Sequence, residues 1–255
     1  MKSSLAFGVA IVLLVLACAG YAYPTFNGQT GNLVTPTAAV ASTGQFTVAA
    51  DYFDSNKIIN AEKSSIPFRV LYGITPNLEI GAGYNFHKYD TQNANTYDLG
   101  VKYATPLKLA GFDFSVSALY GVTHAFDIFD DIKTTQLALI ADRKIAIGDR
   151  EITATLGGNW SQQDLGGSKP SAIRGFIGLS VPVIDKLTVI GEYQTKSGKL
   201  DMKQLYALGL RYGVTDAIAA QAGFTNAYPA GYVNGAAKGK FFAGLDYTFG
   251  GAAAK

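Results

Sequence analysis

From Phe46 to Phe249 apolar residues return at every second position, in run after run. One parity reads Phe46, Val48, Ala50, Tyr52, and the next run Ile66, Phe68, Val70, Tyr72. Leu78, Ile80, Ala82, Tyr84, Phe86 follow, then Tyr97, Leu99, Val101, Tyr103 and the longer series Phe112 to Val122. Later runs start at Ile152, Leu187, Tyr206, Ile218 and Phe241, while about 134–147 and 171–181 alternate less cleanly. A repeat of two is the signature of a strand with one apolar face, and the runs predict about twelve strands. The spacers alternate as well. Tight turns at 74–77, 148–150, 183–186 and 213–216, and a slightly longer one at 105–111, are separated by polar loops near 54–65, 87–96, 123–133, 161–170, 195–202 and 225–239. Short turns on one side and long loops on the other are the asymmetry of a transmembrane barrel, and an even strand number returns both termini to the short-turn side.

Alternation alone does not distinguish such a barrel from a soluble sandwich. The aromatic residues do. Tyr52, Tyr84, Phe86, Tyr97, Tyr120, Trp160, Tyr193, Phe224 and Phe241 stand beside long loops. Phe46, Tyr72, Tyr103, Phe112, Tyr212, Tyr247 and Phe249 stand beside short turns, and aliphatic residues fill the middles. Two rings of amphipathic side chains around an aliphatic band match the two interfaces of a bilayer. The expected fold class is therefore all-β, a transmembrane antiparallel up-and-down barrel of about twelve strands in the bacterial outer membrane.

The ends set the compartment. Lys2 precedes an uncharged run from Leu5 to Ala17, and Gly20 and Ala22 occupy the −3 and −1 positions before Tyr23. This is the layout of a secretory signal peptide over 1–22, with an apolar run too short to span a bilayer. The alternative is lipidation of the single cysteine, Cys18, since Val15-Leu16-Ala17-Cys18 loosely matches a lipobox. Residues 23–44 then read as a periplasmic lead-in, 45–249 as the barrel and 250–255 as a short tail. Formal net charge is +2 and only 16% of residues are charged, which gives no reason to expect nucleic acid as a partner. Outside the leader there is no cysteine, so neither a disulfide nor a thiolate metal site is expected.

The final strand, Lys240-Phe241-Phe242-Ala243-Gly244-Leu245-Asp246-Tyr247-Thr248-Phe249, resembles the C-terminal β-signal of outer-membrane proteins through Gly244, Tyr247 and Phe249. That resemblance implies recognition by the barrel assembly machinery. Phe242 stands where the signal usually has a polar residue, and 250–255 extend past the usual terminal aromatic. A shorter stretch, Phe26-Asn27-Gly28-Gln29-Thr30-Gly31-Asn32-Leu33-Val34-Thr35-Pro36-Thr37-Ala38, is similar to the opening of YjbH-like outer-membrane barrels, except that Asn32 replaces an apolar residue. That family is linked to exopolysaccharide production. The alternative for this stretch is a Gly- and Pro-rich approach to the first strand.

The second parity places charge inside. Arg69, Glu79, Lys102, Asp113, Arg174, Glu192, Arg211 and Asp246 are the expected lumen-lining residues. Interior glycines, Gly81, Gly83, Gly100, Gly121, Gly157, Gly178, Gly209 and Gly244, are expected to relieve crowding in a narrow bore. Mixed charges serve either to brace the bore or to line a pore of low charge selectivity. His87 and His124 fall near outer strand ends, and Asp127, Asp130 and Asp131 lie close to His124. No serine motif accompanies them, so no catalytic residue is assigned; metal sites and cofactors are likewise not expected. The leading expectation is a narrow pore for small polar solutes or a structural component of the membrane, with lipid as its surroundings. A surface barrel acting through its outer loops, 226–232 above all, on a partner or polysaccharide is the alternative, and a lipid hydrolase a distant third.

Overall fold

The computed structural model describes residues 23–25, 28–54, 62–89, 93–125, 131–197, 204–227 and 240–250. The leader and the tips of most long loops lie outside these. Twelve strands form the wall: β1 (Phe46–Asp54), β2 (Glu62–Thr75), β3 (Leu78–Tyr89), β4 (Asn93–Leu109), β5 (Phe112–Ala125) and β6 (Ile132–Ile147), then β7 (Arg150–Asp164), β8 (Ser171–Ile184), β9 (Leu187–Gln194), β10 (Leu205–Gly213), β11 (Ile218–Thr225) and β12 (Lys240–Phe249). Each pairs with its neighbours in sequence, and β12 returns to β1, so the sheet is a closed antiparallel ring. The seam runs from Phe46↔Phe249 to Phe53↔Phe242 without a break. Closure leaves no edge, which is the condition for backbone amides to survive contact with lipid.

The outward face is the apolar parity. Leu99, Leu139, Ile177, Leu208 and Leu245 are exposed on it and form the aliphatic band. Tyr52, Tyr97, Tyr120, Tyr193, Phe224 and Phe241 ring its loop end, and Tyr72, Tyr103, Tyr212, Tyr247 and Phe249 its turn end. This band belongs in a bilayer, and the architecture is that of a bacterial outer-membrane barrel. Tight turns take the left-handed backbone that hairpins need: Ala110 and Gly111 lie at φ 52° and 78°. The turn expected over 105–111 is shorter than that, because β4 continues to Leu109 and a register slip between Ala104 and Lys108 absorbs Pro106.

The larger departure is inside. Residues 23–25 and 28–45, expected as a periplasmic lead-in, do not lie below the barrel; they fold back into its bore. The chain reaches β1 past the turn end, where Gly44 N–H donates to Gly73 O (2.8 Å) and Gly73 N–H to Gln45 O (2.9 Å). Upstream of this clasp, Leu33, Thr35 and Ala41 have no solvent exposure at all. Two short bridges, Pro24↔Thr30 and Gly31↔Pro36, fold the segment on itself. We call it the plug.

The plug explains the runs that alternate poorly. Ile140 on β6 and Phe176 on β8 point inward because both pack on Ala38. Leu71 packs on Ala41 in the same way. Phe53, Ile190, Ala207 and Phe242 surround Leu33, so the apolar Phe242 in the last strand is a plug contact. Leu208 lies mid-band on the lipid face and is exposed. Replacing it with Arg is expected to cost about 2–4 kcal/mol of barrel stability. Denaturant unfolding from liposomes measures this, and an unchanged midpoint would contradict the lipid-facing assignment.

Candidate functional site: the plugged bore

A polar wall enclosing a segment without regular secondary structure must satisfy two sets of buried hydrogen-bonding groups. Here each set satisfies the other. Three inner-wall carboxylates take the plug's amides. Glu79 on β3 accepts from Thr30 N–H (2.8 Å), the Thr30 hydroxyl (2.5 Å) and Ala41 N–H (2.7 Å). Glu192 on β9 accepts from three successive amides, Leu33 (3.2 Å), Val34 (2.9 Å) and Thr35 (2.7 Å), and from the Thr35 hydroxyl. Such a run of convergent N–H groups is a nest for an anion. Asp142 on β6 accepts from Ala38 N–H (2.7 Å).

Wall cations take the plug's carbonyls. Lys102 on β4 donates to Thr30 O (2.6 Å) and Thr37 O (3.1 Å), and its ammonium is 3.0 Å from Glu79. Arg211 on β10 donates to Asn32 O (2.7 Å) and lies over the Tyr23 ring at 4.2 Å. Arg69 on β2 donates to Pro24 O (3.1 Å). It also ion-pairs with Asp51 and lies 3.7 Å from Asp246. Gln221 links this group, donating to Asp51 (2.8 Å) and accepting from Arg211 (3.2 Å). Side-chain contacts are fewer: Ser180 donates to Asn32 Oδ1 (2.6 Å), and Gln29 donates to Ala118 O (3.2 Å).

Of the eight residues expected to line the lumen, Arg69, Glu79, Lys102, Arg174, Glu192, Arg211 and Asp246 are buried on the inner wall. Arg174 donates to Thr195 O (2.9 Å) near the outer end. Asp113 has the inward parity but sits at the turn-end rim, because β5 starts one residue before it; there it pairs with Lys108 at 3.1 Å, half exposed. Asp51, Asp98 and Asp142 complete the buried inner charges, giving six carboxylates and four cations among the described residues.

The inward glycines do more than relieve strand crowding. They are the depressions into which the plug fits. A Cβ on Gly81 would strike Gly28 O, one on Gly100 the Gln29 side chain (2.8 Å), and one on Gly178 the Asn32 amide (2.5 Å). Gly73 meets Ala41 O (2.6 Å) and Gly209 the Leu33 side chain (2.8 Å). On the plug itself Gly28 has φ 79°, and a Cβ there would lie 2.9 Å from Ala82 O, a combination of backbone angle and closeness that suits only glycine. Gly244, one of the three residues of the C-terminal signal resemblance, also points inward and leaves room for the Asp51 carboxylate. Tyr247 and Phe249 face outward in the turn-end girdle.

The two histidines separate. His87 is buried inside, with Nε2 3.4 Å from the Thr96 hydroxyl. His124 stands on the outer face at the rim, its ring 5.6 Å from Tyr97 and its Nδ1 2.5 Å from Asp131. Residues 127–130, beside it in sequence, lie outside the described residues, as do 228–232 of the loop singled out above. Among the described residues no group of three or more metal-ligating side chains occurs.

No family model and no curated protein matches the chain. Solved structures do share its fold. The KdgM porin, in a structure in complex with disordered oligogalacturonate, superimposes with a TM-score of 0.56 at 7% identity, covering 81% of this chain and 99% of that one. The NanC porin gives 0.53 at 13% identity, over 80% and 99%. The chain therefore has the fold of pore-like outer-membrane barrels.

Proposed function

We propose that this protein is an outer-membrane pore for small polar solutes whose bore is closed at rest by its own residues 23–25 and 28–45. The observation that carries the reading is how the plug is held. Its contacts to the wall are mainly hydrogen bonds to carboxylates, ammonium and guanidinium groups, and its apolar anchoring rests on Leu33, with Val34 packed beside it, and on Ala38 and Ala41. Each of those wall groups exchanges a plug partner for water when the segment leaves, so withdrawal exposes a polar bore rather than a greasy one. A buried hydrogen bond to a charged group contributes about 1.5–3 kcal/mol while both partners stay dry, and much less once water replaces one of them. The porin-like fold supports the same reading. So does the clasp at Gly44 and Gly73, which leaves the plug tethered at the turn end.

The last strand supports a second, assembly-related role for the same residues. Tyr247 and Phe249 present aromatic rings to the lipid face beside the seam. In this reading they and Gly244 are what the barrel assembly machinery recognises before β12 closes on β1.

Planar-bilayer recording on refolded full-length protein tests the pore. The wild type is expected to show rare, brief openings. Leu33→Asp puts a carboxylate among Phe53, Ile190 and Phe242 and close to Glu192, and is expected to give sustained conductance steps. Silence from this variant, with a barrel still folded by heat-modifiable gel migration, would leave a structural membrane component in place of a pore.

Wall glycines give an independent check. The atoms nearest a Cβ added at Gly178 all belong to the plug, Asn32 Nδ2 first and then Thr35 Oγ1, whereas a Cβ at Gly191 meets nothing within 4 Å. Gly178→Val is expected to raise open probability at least about tenfold, equivalent to about 1.4 kcal/mol of lost closure, and Gly191→Val to leave it unchanged. Equal behaviour of the two would show that the plug does not control conductance.

A further inference from the structure

The wall reads the plug's main chain more than its side chains. Glu79, Glu192 and Asp142 together receive six backbone N–H groups, from Thr30, Leu33, Val34, Thr35, Ala38 and Ala41. Lys102, Arg69 and Arg211 together donate to four backbone carbonyls, of Pro24, Thr30, Asn32 and Thr37. Amides and carbonyls belong to every polypeptide main chain, and the plug presents them from turns closed by the bridges Pro24↔Thr30 and Gly31↔Pro36. Sequence preference enters through shape. The wall is hollowed at Gly81, Gly100, Gly178 and Gly209 and offers one deep apolar pocket, made by Phe53, Ile190, Ala207 and Phe242, for a single aliphatic side chain. Where Ile140 and Phe176 close on Ala38 it admits only a small residue.

We propose that the bore is a receptor for a turn-forming polypeptide segment of small residues with one aliphatic anchor, occupied by residues 28–42 of the chain itself and, once these withdraw, by a peptide supplied from another protein. This deepens the gated-pore reading and rests on it for the withdrawal step. The charges favour this class over an acidic oligosaccharide. The buried inner wall holds six carboxylates against four cations among the described residues, and a peptide main chain brings N–H donors to the carboxylates where an acidic sugar brings further negative charge. A tethered segment competes at an effective concentration in the millimolar range, so a free peptide enters only where the plug's own grip is weakened.

The experiment uses the full-length Leu33→Asp protein in detergent, with the wall intact, and a fluorescent peptide of residues 28–42 followed by anisotropy. A second protein lacking residues 28–42 guards against a partly seated variant plug. Saturable binding is expected to both. N-methylation of the peptide at Thr35 removes a donor to Glu192 and is expected to weaken binding at least about tenfold. Ala38→Trp in the peptide is expected to do the same, while Thr30→Ala, which keeps every main-chain group, is expected to change it by less. Absence of binding to both folded proteins overturns the inference, as does equal binding of the N-methylated peptide. Displacement of the peptide by oligogalacturonate at lower concentration than by unlabelled peptide also overturns it. The two readings fail separately: a plugless barrel that conducts but ignores the peptide sinks only the receptor, and one that binds the peptide but stays silent sinks only the pore.

Discussion

One constraint organises the molecule twice over: a backbone amide removed from water must find a partner. In the wall the partner is the neighbouring strand, and because lipid offers none, the twelve strands close through β1 and β12. In the bore the same demand falls on residues that are in neither helix nor sheet. Two short bridges and a few turns pair some of their amides and carbonyls, and side chains of the wall serve others. Buried Glu79, Lys102, Glu192 and Arg211 would be costly in an empty, dry interior; beside an unpaired main chain they are the complementary half of a hydrogen-bonded whole.

The plug also gives a physical account of the inner charges. A barrel of twelve strands lies between those whose side chains fill the interior and those wide enough to stay open. Charges facing such a bore have the choice of pairing with one another or turning to water. The first occurs only in part, in the Arg69, Asp51 and Asp246 group and between Lys102 and Glu79. Elsewhere the chain supplies its own occupant, and the mixed signs match an occupant that has both donors and acceptors along its length.

The wall was legible in the sequence because its rule is local. A period of two survives inspection residue by residue, and Tyr52, Tyr97, Tyr212 and Tyr247 mark the ends of the apolar band without reference to any other strand. The plug was not legible because its partners are distant and its own pattern has no period. Glu192 serves amides some 157 to 159 positions earlier in the chain. Its traces were nonetheless present as breaches of the strand rule. Leu71, Ile140, Phe176, Ile190 and Phe242 stand on the face that should be polar, and glycines recur on that face at Gly81, Gly100, Gly178 and Gly209. Apolar and vacant positions gathered on an inner wall say that something solid is meant to lie against it. Asp113 shares the inward parity, but its height on the wall depends on where β5 begins, which the alternation does not encode.

The fit between hollow and filling bears on how such a sequence changes over generations. Gly28 rests in the space of Gly81, Asn32 in that of Gly178, and Leu33 beside Gly209. A bulkier residue on either member of a couple is obstructed by the other, so neither drifts freely. Substitutions there are expected to arise as matched exchanges between the first forty or so residues and strands far downstream, a correlation that would be visible among descendants of this gene even where the outer surface has diverged beyond alignment.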